Sequence, residues 1–345
     1  MQQRPITEGY KPLLDLKRTE LAIKLVKDSF ERGLSSELRL SRVTSPLFVP
    51  RGSGINDDLT GVENPVRFTV GALDHAEMEV VQSLAKWKRL ALADYGYPPG
   101  FGIYTDMNAL RPDDVLDPVH SVYVDQWDWE LVLEPQLRSL SILRQVVRKI
   151  YEVIKRTEFV VCEHFPAIEP ALPDEITFIH TEESLARYPH LSPEEREHEL
   201  AREHRAIFLT GIGAQLSDGK PHGIRAPDYD DWSTETPDGF RGLNGDIIIW
   251  NPVIQRPLEL SSMGIRVSKE ALLRQLELCE AEHRAELYWH RRLLAGEYPE
   301  TVGGGIGQSR LCMYFLRKAH IGEVQAGVWP RETLEACRAQ GVPLM

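Results

Sequence analysis

The sequence lacks the features of an exported, membrane-spanning or disulfide-stapled protein. No apolar run of about 18 residues occurs in the chain, and no apolar signal-peptide core follows the first methionine. The four cysteines are scattered, and none belongs to a C-x-x-C pair. This spacing does not suit a zinc site or a disulfide framework, so we expect reduced thiols in a soluble, cytoplasmic protein that binds no membrane.

An excess of basic charge is also missing. The net charge is -12 at pH 7, whereas proteins that bind nucleic acids by neutralising phosphates usually carry a basic surface. The sequence therefore argues against a nucleic-acid partner.

No internal repeat, low-complexity stretch or long linker divides the chain. With 345 residues, of which 42% are hydrophobic, it can bury a large core. We expect a single domain over residues 1–345, with 331–345 as a loosely held C-terminal tail.

Hydrophobic periodicity predicts an α+β fold. Apolar residues at helical spacing begin at Leu13, and Gly33 is the expected stop of this first helix. The strands do not alternate regularly with single helices, which favours a mainly antiparallel sheet flanked by helices. Strand-like runs occur at 38–43, 66–70, 78–82, 120–124, 176–180, 207–210, 246–250 and 258–267, and further helical patterns at 84–94, 137–160, 193–204 and 271–294.

The stretch VGGGIGQSR, which ends at Arg310, contains the densest run of glycines. It fits neither a Rossmann fingerprint nor a P-loop, because the required terminal Gly or Gly-Lys-Ser/Thr is absent. The pattern G-x-G-x-x-R remains, and it indicates a glycine strand that opens into a helix carrying Arg310. We expect Gly303, Gly304, Gly305 and Gly307 to let the backbone pass beneath an adenine and ribose; the alternative is a glycine-rich turn with a surface arginine.

Polar residues continue an apolar strand face in the stretch HSVYVDQWDWE. Alternation places Gln126 and Asp128 on the same face as Val122 and Val124. This suggests a strand that leaves the core to line a cleft, although a strand end in solvent has the same pattern. Arg111, just upstream in a tight turn, is expected beside the base of this strand.

Two carboxylates lie on consecutive strand-like runs. Asp246 is the first residue of the otherwise apolar run 246–250, and Glu259 lies near the start of the next run, 258–267. If the strands pair, the two side chains can share a cation, because Mg²⁺ prefers oxygen ligands. Unpaired buried carboxylates are costly, so Arg266 is the alternative partner. The acidic loop RAPDYDDW, which includes Asp230, is as compatible with a solvated loop as with a site.

Together these segments resemble the signature motifs of class II aminoacyl-tRNA synthetase catalytic domains. The long helix, strand and Pro46 resemble the first motif, which builds the dimer interface. Arg111 and the strand after it resemble the second motif, whose arginine holds the ATP α-phosphate. Gly305 to Arg310 resembles the third, whose arginine meets the γ-phosphate.

The pattern Glu259-x-x-Ser262-x-x-x-Arg266 is similar to the metal-binding strand of the aspartyl- and asparaginyl-type enzymes. Residues three apart on a regular strand face opposite ways. Glu259 and Ser262 therefore require a β-bulge to act together.

The resemblance is closer still to the ammonia-dependent asparagine synthetases, the aspartate–ammonia ligase family, and covers residues 12–330. It departs from the family at the termini and around Asp57, whose neighbours Asn56 and Asp58 differ from the commoner Gln-Asp-Asn. The segments that carry it are SLAKWKR, HSVYVDQWDWE, RAPDYDDWST, GLNGDI, ELSSMGIRV and GGGIGQSR.

The resemblance implies that aspartate and Mg-ATP form β-aspartyl-AMP, which ammonia then converts to asparagine and AMP, and that the enzyme is a homodimer. Either Asp57 or Asp128 is expected to take the substrate α-ammonium, and Lys88 a substrate carboxylate; the alternative for Lys88 is a helix-surface lysine, which Lys86 is expected to be. Expected substrate contacts are Asp57, Ser83, Lys88, Gln126, Asp128, Arg266 and Ser309. Expected nucleotide and metal contacts are Arg111, Asp230, Asp246, Glu259, Ser262, Gly305, Gly307 and Arg310, with Asp246 and Glu259 as Mg²⁺ ligands. The catalytic residues are expected to be Arg111, Gln126, Asp57 and Arg310.

Free ammonia is the nitrogen donor that the sequence supports, because residue 2 is Gln and not the cysteine of an N-terminal-nucleophile glutaminase. One alternative is a tRNA synthetase for Asp or Asn, but only a short segment precedes the first helix where such enzymes usually carry an anticodon-binding domain. Another is an inactive regulatory paralogue, which would be expected to have lost Arg111, Glu259 or Arg310.

Overall fold

The computed structural model describes residues 9–57, 59 and 63–345. Asp58, at which the sequence departs from the family pattern, lies outside the described residues. The strands are β1 Leu40–Arg42, β2 Phe48–Pro50, β3 Arg67–Val70, β4 Ala76–Val80, β5 Gly102–Leu110, β6 Tyr123–Val132, β7 Thr177–His180, β8 Ala206–Thr210, β9 Asn244–Asn251, β10 Arg256–Ile265 and β11 Thr301–Gly307. The helices are α1 Leu16–Leu38, α2 Ala85–Tyr95, α3 Leu140–His164, α4 Thr181–Arg187, α5 Pro193–His204, α6 Lys269–Leu278, α7 Tyr288–Ala295, α8 Gln308–Phe315 and α9 Arg331–Ala339.

Eight strands form one sheet in the order β1-β5-β6-β11-β10-β9-β8-β7. Its inner pairs are all antiparallel, and only the outermost pairs, β1–β5 and β7–β8, are parallel. A smaller antiparallel sheet has the order β2-β4-β3. The predicted α+β class, with a mainly antiparallel sheet flanked by helices, is confirmed.

Alternation along β6 assigns opposite roles to the two faces of the large sheet. Trp127 and Trp129 are buried in the main hydrophobic core together with residues of α1 and α3. The ring of Trp127 packs against Phe30 of α1, with 4.8 Å between centroids. Gln126 and Asp128 point to the other face, where a cavity opens. The apolar face thus anchors the strand, while the polar face is left for the site.

The first helix does not stop at Gly33, as the sequence predicts, but continues to Leu38. A Cβ at Gly33 would lie 2.7 Å from Cγ1 of Val153 on α3. The glycine therefore permits close packing between α1 and α3. The helix ends where Arg39 adopts a left-handed conformation with φ of 54°, so the predicted strand at 38–43 is shortened.

The single helix predicted at 271–294 is divided. α6 ends at Leu278, a 3₁₀ turn occupies Glu282–Glu286, and α7 follows. Glu280 has a φ of 52°, a conformation that no α-helix continues through. Strand β5 was not predicted, because the polar residues within Gly102–Leu110 interrupt its apolar pattern although most of the strand is buried.

The C-terminal residues are not a loosely held tail. α9 occupies Arg331–Ala339, and Cys337 and Val342 are buried in a small cluster with Ala319. The backbone N–H of Met345 donates to the carbonyl of Gly322 at 2.8 Å. The segment is therefore part of the packed structure.

All four cysteines are free thiols. Within the described residues, no helix combines the length and the apolar character needed to cross a bilayer.

Three glycines of β11, Gly303, Gly304 and Gly305, leave room for side chains of the protein itself. The expectation that the glycines let the backbone pass beneath an adenine and ribose stays a prediction. A Cβ at Gly303 would lie 1.9 Å from Oε2 of Glu130, and one at Gly304 would lie 2.6 Å from Cβ of Met263. At Gly305 it would lie 2.3 Å from Oε1 of Gln126. Side chains of the neighbouring strands β6 and β10 thus occupy space that side chains on β11 would otherwise fill.

We predict that Gly303→Ala lowers the free energy of unfolding by about 3 kcal/mol, since overpacking costs ~1–3 kcal/mol and disturbing a buried ion pair ~3–5 kcal/mol. The added methyl would displace the carboxylate of Glu130 from Arg266, which donates hydrogen bonds to it. Chemical denaturation measures the change. Gly71→Ala is the matched control, because its Cβ would meet nothing closer than 3.9 Å; equal stability of the two variants would contradict the packing role of Gly303.

Candidate functional site

A cavity of about 520 Å³ lies on the polar face of β6. Its walls come from β6, β10, β11, the start of α2, and the loops that carry Arg111 and Asp230. Of the residues predicted for the site, all but Asp246 line this cavity: Asp57, Ser83, Lys88, Arg111, Gln126, Asp128, Asp230, Glu259, Ser262, Arg266, Gly305, Gly307, Ser309 and Arg310. Segments that are distant in the sequence therefore meet around one space.

Arg111 follows directly on β5, and its position is fixed from both sides. Its backbone N–H donates to the carbonyl of Val122 at 2.8 Å, which places it at the base of β6 as the sequence predicts. Its guanidinium donates to the carbonyl of Gln82 from Nε at 3.3 Å and from Nη2 at 3.1 Å. A preorganised cation therefore faces the cavity.

Arg310 lies in the first turn of α8, directly after the glycine strand, as predicted. Nη1 donates to the backbone carbonyl of Glu259 at 3.0 Å and lies 3.9 Å from Oε2 of the same residue. Nε donates to the carbonyl of Val119 at 3.4 Å. The side chain is thus aimed across the cavity mouth towards β10.

Lys88 is fully buried, which excludes the helix-surface alternative. Its ammonium donates to Oδ1 of Asp128 and, at 2.8 Å, to the carbonyl of Gly304. Within the part of the chain that the structure describes, the other carboxylate oxygen of Asp128 is buried without a hydrogen-bond partner. Burial lowers the pKa of Lys88, while Asp128 opposes the change.

Arg266 joins two further buried carboxylates beneath the cavity. It donates to Glu130 from Nε at 2.9 Å and from Nη2 at 2.8 Å, and to Asp230 from Nη1 at 2.5 Å. Thr301 also donates to Glu130, at 2.7 Å. Burial alone would raise the pKa of Glu130, but Arg266 holds it below its ordinary value.

Asp57 and Ser83 line the same end of the cavity as Lys88. Oδ1 of Asp57 accepts from the backbone N–H of Leu59 at 3.0 Å. Asn56, the preceding residue, accepts from the backbone N–H groups of Asp57 and Gln82 at 3.0 and 2.9 Å. This ties the Asp57 turn to the segment that begins α2.

β10 contains the β-bulge that the motif requires. Its register against β9 shifts between Glu259 and Ser261, so Glu259 and Ser262 both line the cavity although they are three residues apart. Partial loss of hydration opposes ionisation of Glu259, but Arg310 and Arg225 lower the pKa of this carboxyl. The Glu259 side chain is 45% exposed, so its carboxylate is available to a ligand.

Asp246 lies opposite Ser262 on β9, but its neighbour is not the one expected. Its Oδ2 accepts from Nη2 of Arg225. Arg266, the alternative partner, is instead occupied by Glu130 and Asp230. Burial and the nearby Glu259 raise the pKa of Asp246, while Arg225 opposes the change. Asp246 thus lies behind Arg225 and not on the cavity surface.

Glu259 on the cavity surface, and Asp246 behind it, offer the carboxylate oxygens that a hard divalent cation prefers. Oδ1 of Asp246 is buried and has no hydrogen-bond partner among the described residues, and Glu259 offers a second carboxylate. The described residues contain no group of three or more His, Cys, Asp or Glu side chains arranged for a metal. Mg²⁺ commonly takes only one or two protein carboxylates and completes its shell with phosphates and water.

Sequence reasoning missed several residues of the site. Gln325, which follows α8, donates to Ser309 at 3.0 Å and accepts from Ser121 at 2.5 Å. Asp125 accepts from the backbone N–H of Ser309 at 3.0 Å and from Lys27 of α1 at 3.2 Å. No local pattern marks Gln325, whereas Asp125 was overlooked because alternation assigns it to the face opposite Gln126.

Lys86 is not the surface lysine that the sequence predicts. It is 2% exposed and forms an ion pair with Asp228 at 3.0 Å. Since residues two apart on a helix point in nearly opposite directions, Lys86 and Lys88 face different sides of α2.

The matching family model and the most similar curated relatives carry the same description. The family model described as aspartate-ammonia ligase matches residues 17–341. An aspartate–ammonia ligase from Parabacteroides distasonis is 57% identical over 337 residues, which cover 98% of each chain. One from Clostridium perfringens is 50% identical over 345 residues, which cover 100% of each chain.

Among solved structures, the asparaginyl-tRNA synthetase from Pyrococcus horikoshii complexed with asparaginyl-adenylate has a TM-score of 0.66 at 16% identity, covering 96% of this chain and 77% of that one. The Entamoeba histolytica asparaginyl-tRNA synthetase in complex with asparaginyl-adenylate has a TM-score of 0.65 at 13% identity, covering 90% of this chain and 66% of that one. These likenesses show the fold. With the catalytic-domain fold of the class II aminoacyl-tRNA synthetases and this sequence identity along its whole length, the chain belongs to the aspartate–ammonia ligase family.

Proposed function

We propose that this ligase amidates L-aspartate with free ammonia in two steps. Aspartate and ATP form β-aspartyl-AMP and pyrophosphate, and ammonia then displaces AMP to give L-asparagine. A single observation carries the proposal: one cavity joins a buried cluster of carboxylates and cations to a mouth lined by two arginines. Adenylation supplies the activation, because a free carboxylate is a poor electrophile and AMP is a good leaving group.

The buried end of the cavity suits a zwitterionic amino acid. Its ion-pair network consists of two cations, Lys88 and Arg266, and three carboxylates, Asp128, Glu130 and Asp230, and Asp57 adds a further carboxylate, so negative charge is in excess. The α-ammonium of aspartate would balance that charge, and the unpartnered Oδ2 of Asp128 is an acceptor for it. Asp57 is the alternative acceptor.

Lys88 would attract a carboxylate of the substrate, and Arg266 would hold Asp230 in place. Ser83 and Ser309 would add hydroxyl contacts. Gln126 lies between the two ends on β6, opposite Gly307. Its amide would orient the β-carboxylate or a phosphate oxygen, which makes it a positioning group for the attack on phosphorus.

The arginine end suits a triphosphate. The transition state at the α-phosphorus is strongly anionic, and the preorganised Arg111 would stabilise it. Arg310 would hold the γ-phosphate and favour departure of pyrophosphate, while Gly305 and Gly307 allow the backbone of β11 to approach the nucleotide. Asp246 and Glu259, with Ser262 beside them, would hold Mg²⁺, which when bound neutralises charge on the phosphates.

The proposal also includes a homodimer and no tRNA substrate. α1 corresponds to the first motif of the synthetases. Leu16 and Leu21 in its first turns, and Leu13 just before it, expose apolar side chains. A second copy of the chain would cover them.

We predict stoichiometric AMP and pyrophosphate when aspartate, ATP, Mg²⁺ and ammonium are mixed with the enzyme. Chromatography of the nucleotides measures the products, and formation of ADP would exclude an adenylate intermediate. Glutamine at the same concentration is expected to support little turnover, and no aspartate is expected to be transferred to tRNA.

We predict that Glu259→Gln removes most of the activity at limiting Mg²⁺ while the protein stays folded. The amide keeps the volume but loses the charge that a hard cation needs; even outer-shell changes at metal sites cost about 10–100-fold in affinity or activity. Activity is measured against Mg²⁺ concentration, with circular dichroism to test folding. Glu203→Gln, which changes an exposed, arginine-paired carboxylate, is the control. If the activity of Glu259→Gln depends on Mg²⁺ concentration as that of the wild type does, Glu259 is not a metal ligand.

We predict that Arg310→Lys slows adenylate formation by about 10²–10³-fold, the usual loss for one preorganised charge-stabilising donor. An ammonium cannot reproduce the planar contact of a guanidinium. Attack of ammonia on preformed β-aspartyl-AMP should be nearly unaffected, because the γ-phosphate has left. Single-turnover measurements separate the two steps, and Arg187→Lys serves as a surface control. Equal slowing of both steps would show that Arg310 acts on the fold or on the adenosine.

A further inference from the structure

Arg225 is an arginine of the cavity to which the proposed function assigns no role. It is the first residue of the acidic loop RAPDYDDW, and its side chain lines the cavity in front of Asp246. The side chain of Arg225 is 20% exposed, whereas that of Asp246 is 7% exposed. The guanidinium therefore lies between this carboxylate and any molecule that enters the cavity.

Most of the hydrogen-bonding capacity of Arg225 is unused. A guanidinium carries N–H donors on each of its nitrogens, and Nη2 donates one of them to Oδ2 of Asp246. Nε is buried, and neither Nε nor Nη1 has an acceptor within residues 9–57, 59 and 63–345. Arginine stays protonated and has no acceptor atom, so these nitrogens can only donate. An anion with several oxygens, such as a phosphate, would satisfy them.

The loop that carries Arg225 is held in place by side chains from other parts of the chain. The carbonyl of Ala226, the next residue, accepts from Nε1 of Trp232 at 3.1 Å. The carbonyl of Pro227 accepts from Nε2 of Gln275 on α6 at 2.8 Å. A donor fixed in this way needs little reorganisation when charge develops on a ligand, which is the condition for electrostatic stabilisation of a transition state.

The register of the sheet places Arg225 between the two ends of the cavity. Strand β10 leads from Glu259, at the end assigned to the phosphates, to Arg266, at the end assigned to the amino acid. Ser262 lies between these two residues and opposite Asp246 on β9. Since Arg225 is bonded to Asp246, its guanidinium lies where the two ligands would meet. The reacting bond between the β-carboxylate and the α-phosphorus forms at such a point.

We propose that Arg225 is a further catalytic residue, which donates its free N–H groups to the α-phosphate of ATP and of the adenylate. This inference rests on the proposed function, because both half-reactions act on that phosphate. In the first, an oxygen of the β-carboxylate bonds to the α-phosphorus, and the bond from this phosphorus to the departing pyrophosphate breaks.

In the second half-reaction, the nitrogen of ammonia bonds to the carbonyl carbon of the adenylate. The bond from this carbon to the AMP oxygen breaks with its electron pair going to AMP, and the nitrogen gives up a proton to solvent. Negative charge therefore increases on the α-phosphate in both steps, and Arg225 stabilises it in both. The γ-phosphate, which is assigned to Arg310, takes part only in the first.

Arg225→Lys should slow both half-reactions by about 10²–10³-fold, whereas Arg310→Lys slows only the first. A lysine keeps a charge beside Asp246 but cannot donate in one plane to two partners. Single-turnover measurements with ATP and aspartate follow the first step, and ammonia added to enzyme loaded with β-aspartyl-AMP without Mg²⁺ follows the second. Arg241→Lys is the matched control, because Arg241 is an exposed arginine before the same strand, β9, and is paired with Glu235.

Nucleotide binding gives a readout that does not depend on turnover. Arg225→Lys should weaken the binding of AMP about 10–100-fold, the cost of one hydrogen bond to a charged group, and leave the binding of adenosine unchanged. Calorimetry without Mg²⁺ measures both affinities. Wild-type affinity for AMP, or an equal loss for adenosine, would overturn the inference. Slowing of adenylate formation alone would also overturn it, because Arg225 would then act only through Asp246 or on the pyrophosphate.

A second variant keeps the test decisive if circular dichroism shows that Arg225→Lys does not fold. Arg225→Gln retains an amide that can donate to Asp246 and removes the charge, and the same selective loss of AMP affinity is expected. Unchanged affinity in this variant contradicts the role of Arg225. If the wild-type enzyme forms ADP and no AMP, the proposed function itself fails.

Discussion

The guanidinium of Arg266 and the carboxylates it binds are the interaction on which the site depends. Glu130 comes from β6, Arg266 follows β10, and Asp230 comes from the acidic loop, so one buried cation ties three segments together. The desolvation of these charges is offset only while every partner is present. The bare backbone of β11 is part of the same arrangement, because Glu130 occupies the space where Gly303 has no side chain.

Because of this network, the two ends of the cavity differ in the sign of their net charge. Towards its buried end, carboxylates outnumber cations, whereas the cations Arg111 and Arg310 line the other end. An amino acid with a free ammonium and a nucleotide with several phosphates would therefore be drawn to opposite ends. The sheet fixes the order of these ends, because β6 runs through both.

The sequence predicted the parts of this arrangement that depend on local patterns. The alternation of Gln126 with Trp127 and the entry of Arg310 into α8 follow from strand and helix periodicity, and the bulge follows from the spacing of Glu259 and Ser262. What depends on tertiary contact was not accessible. Gly33 has the local chemistry of a helix stop, but the approach of Val153 from α3 gives it another role.

The same limit applies to charge partners. Asp246 was expected to pair with a metal or with Arg266, yet Arg225 reaches it across a loop. Lys86 is of a residue type that usually lies on a helix surface, and only the fold shows that it is buried beside Asp228. Pairings between distant residues depend on the packing of whole segments, and no periodicity encodes them.

The contact of Lys27 with Asp125 has a mechanical consequence. Lys27 belongs to α1, and Asp125 also receives the backbone N–H of Ser309, which begins the turn that carries Arg310. Helix α1 and the start of α8, which carries Arg310, are thus joined through one carboxylate. A displacement of α1 must either break this link or move the start of α8 with it. The position of Arg310 therefore depends on how α1 packs against the opposite face of the sheet.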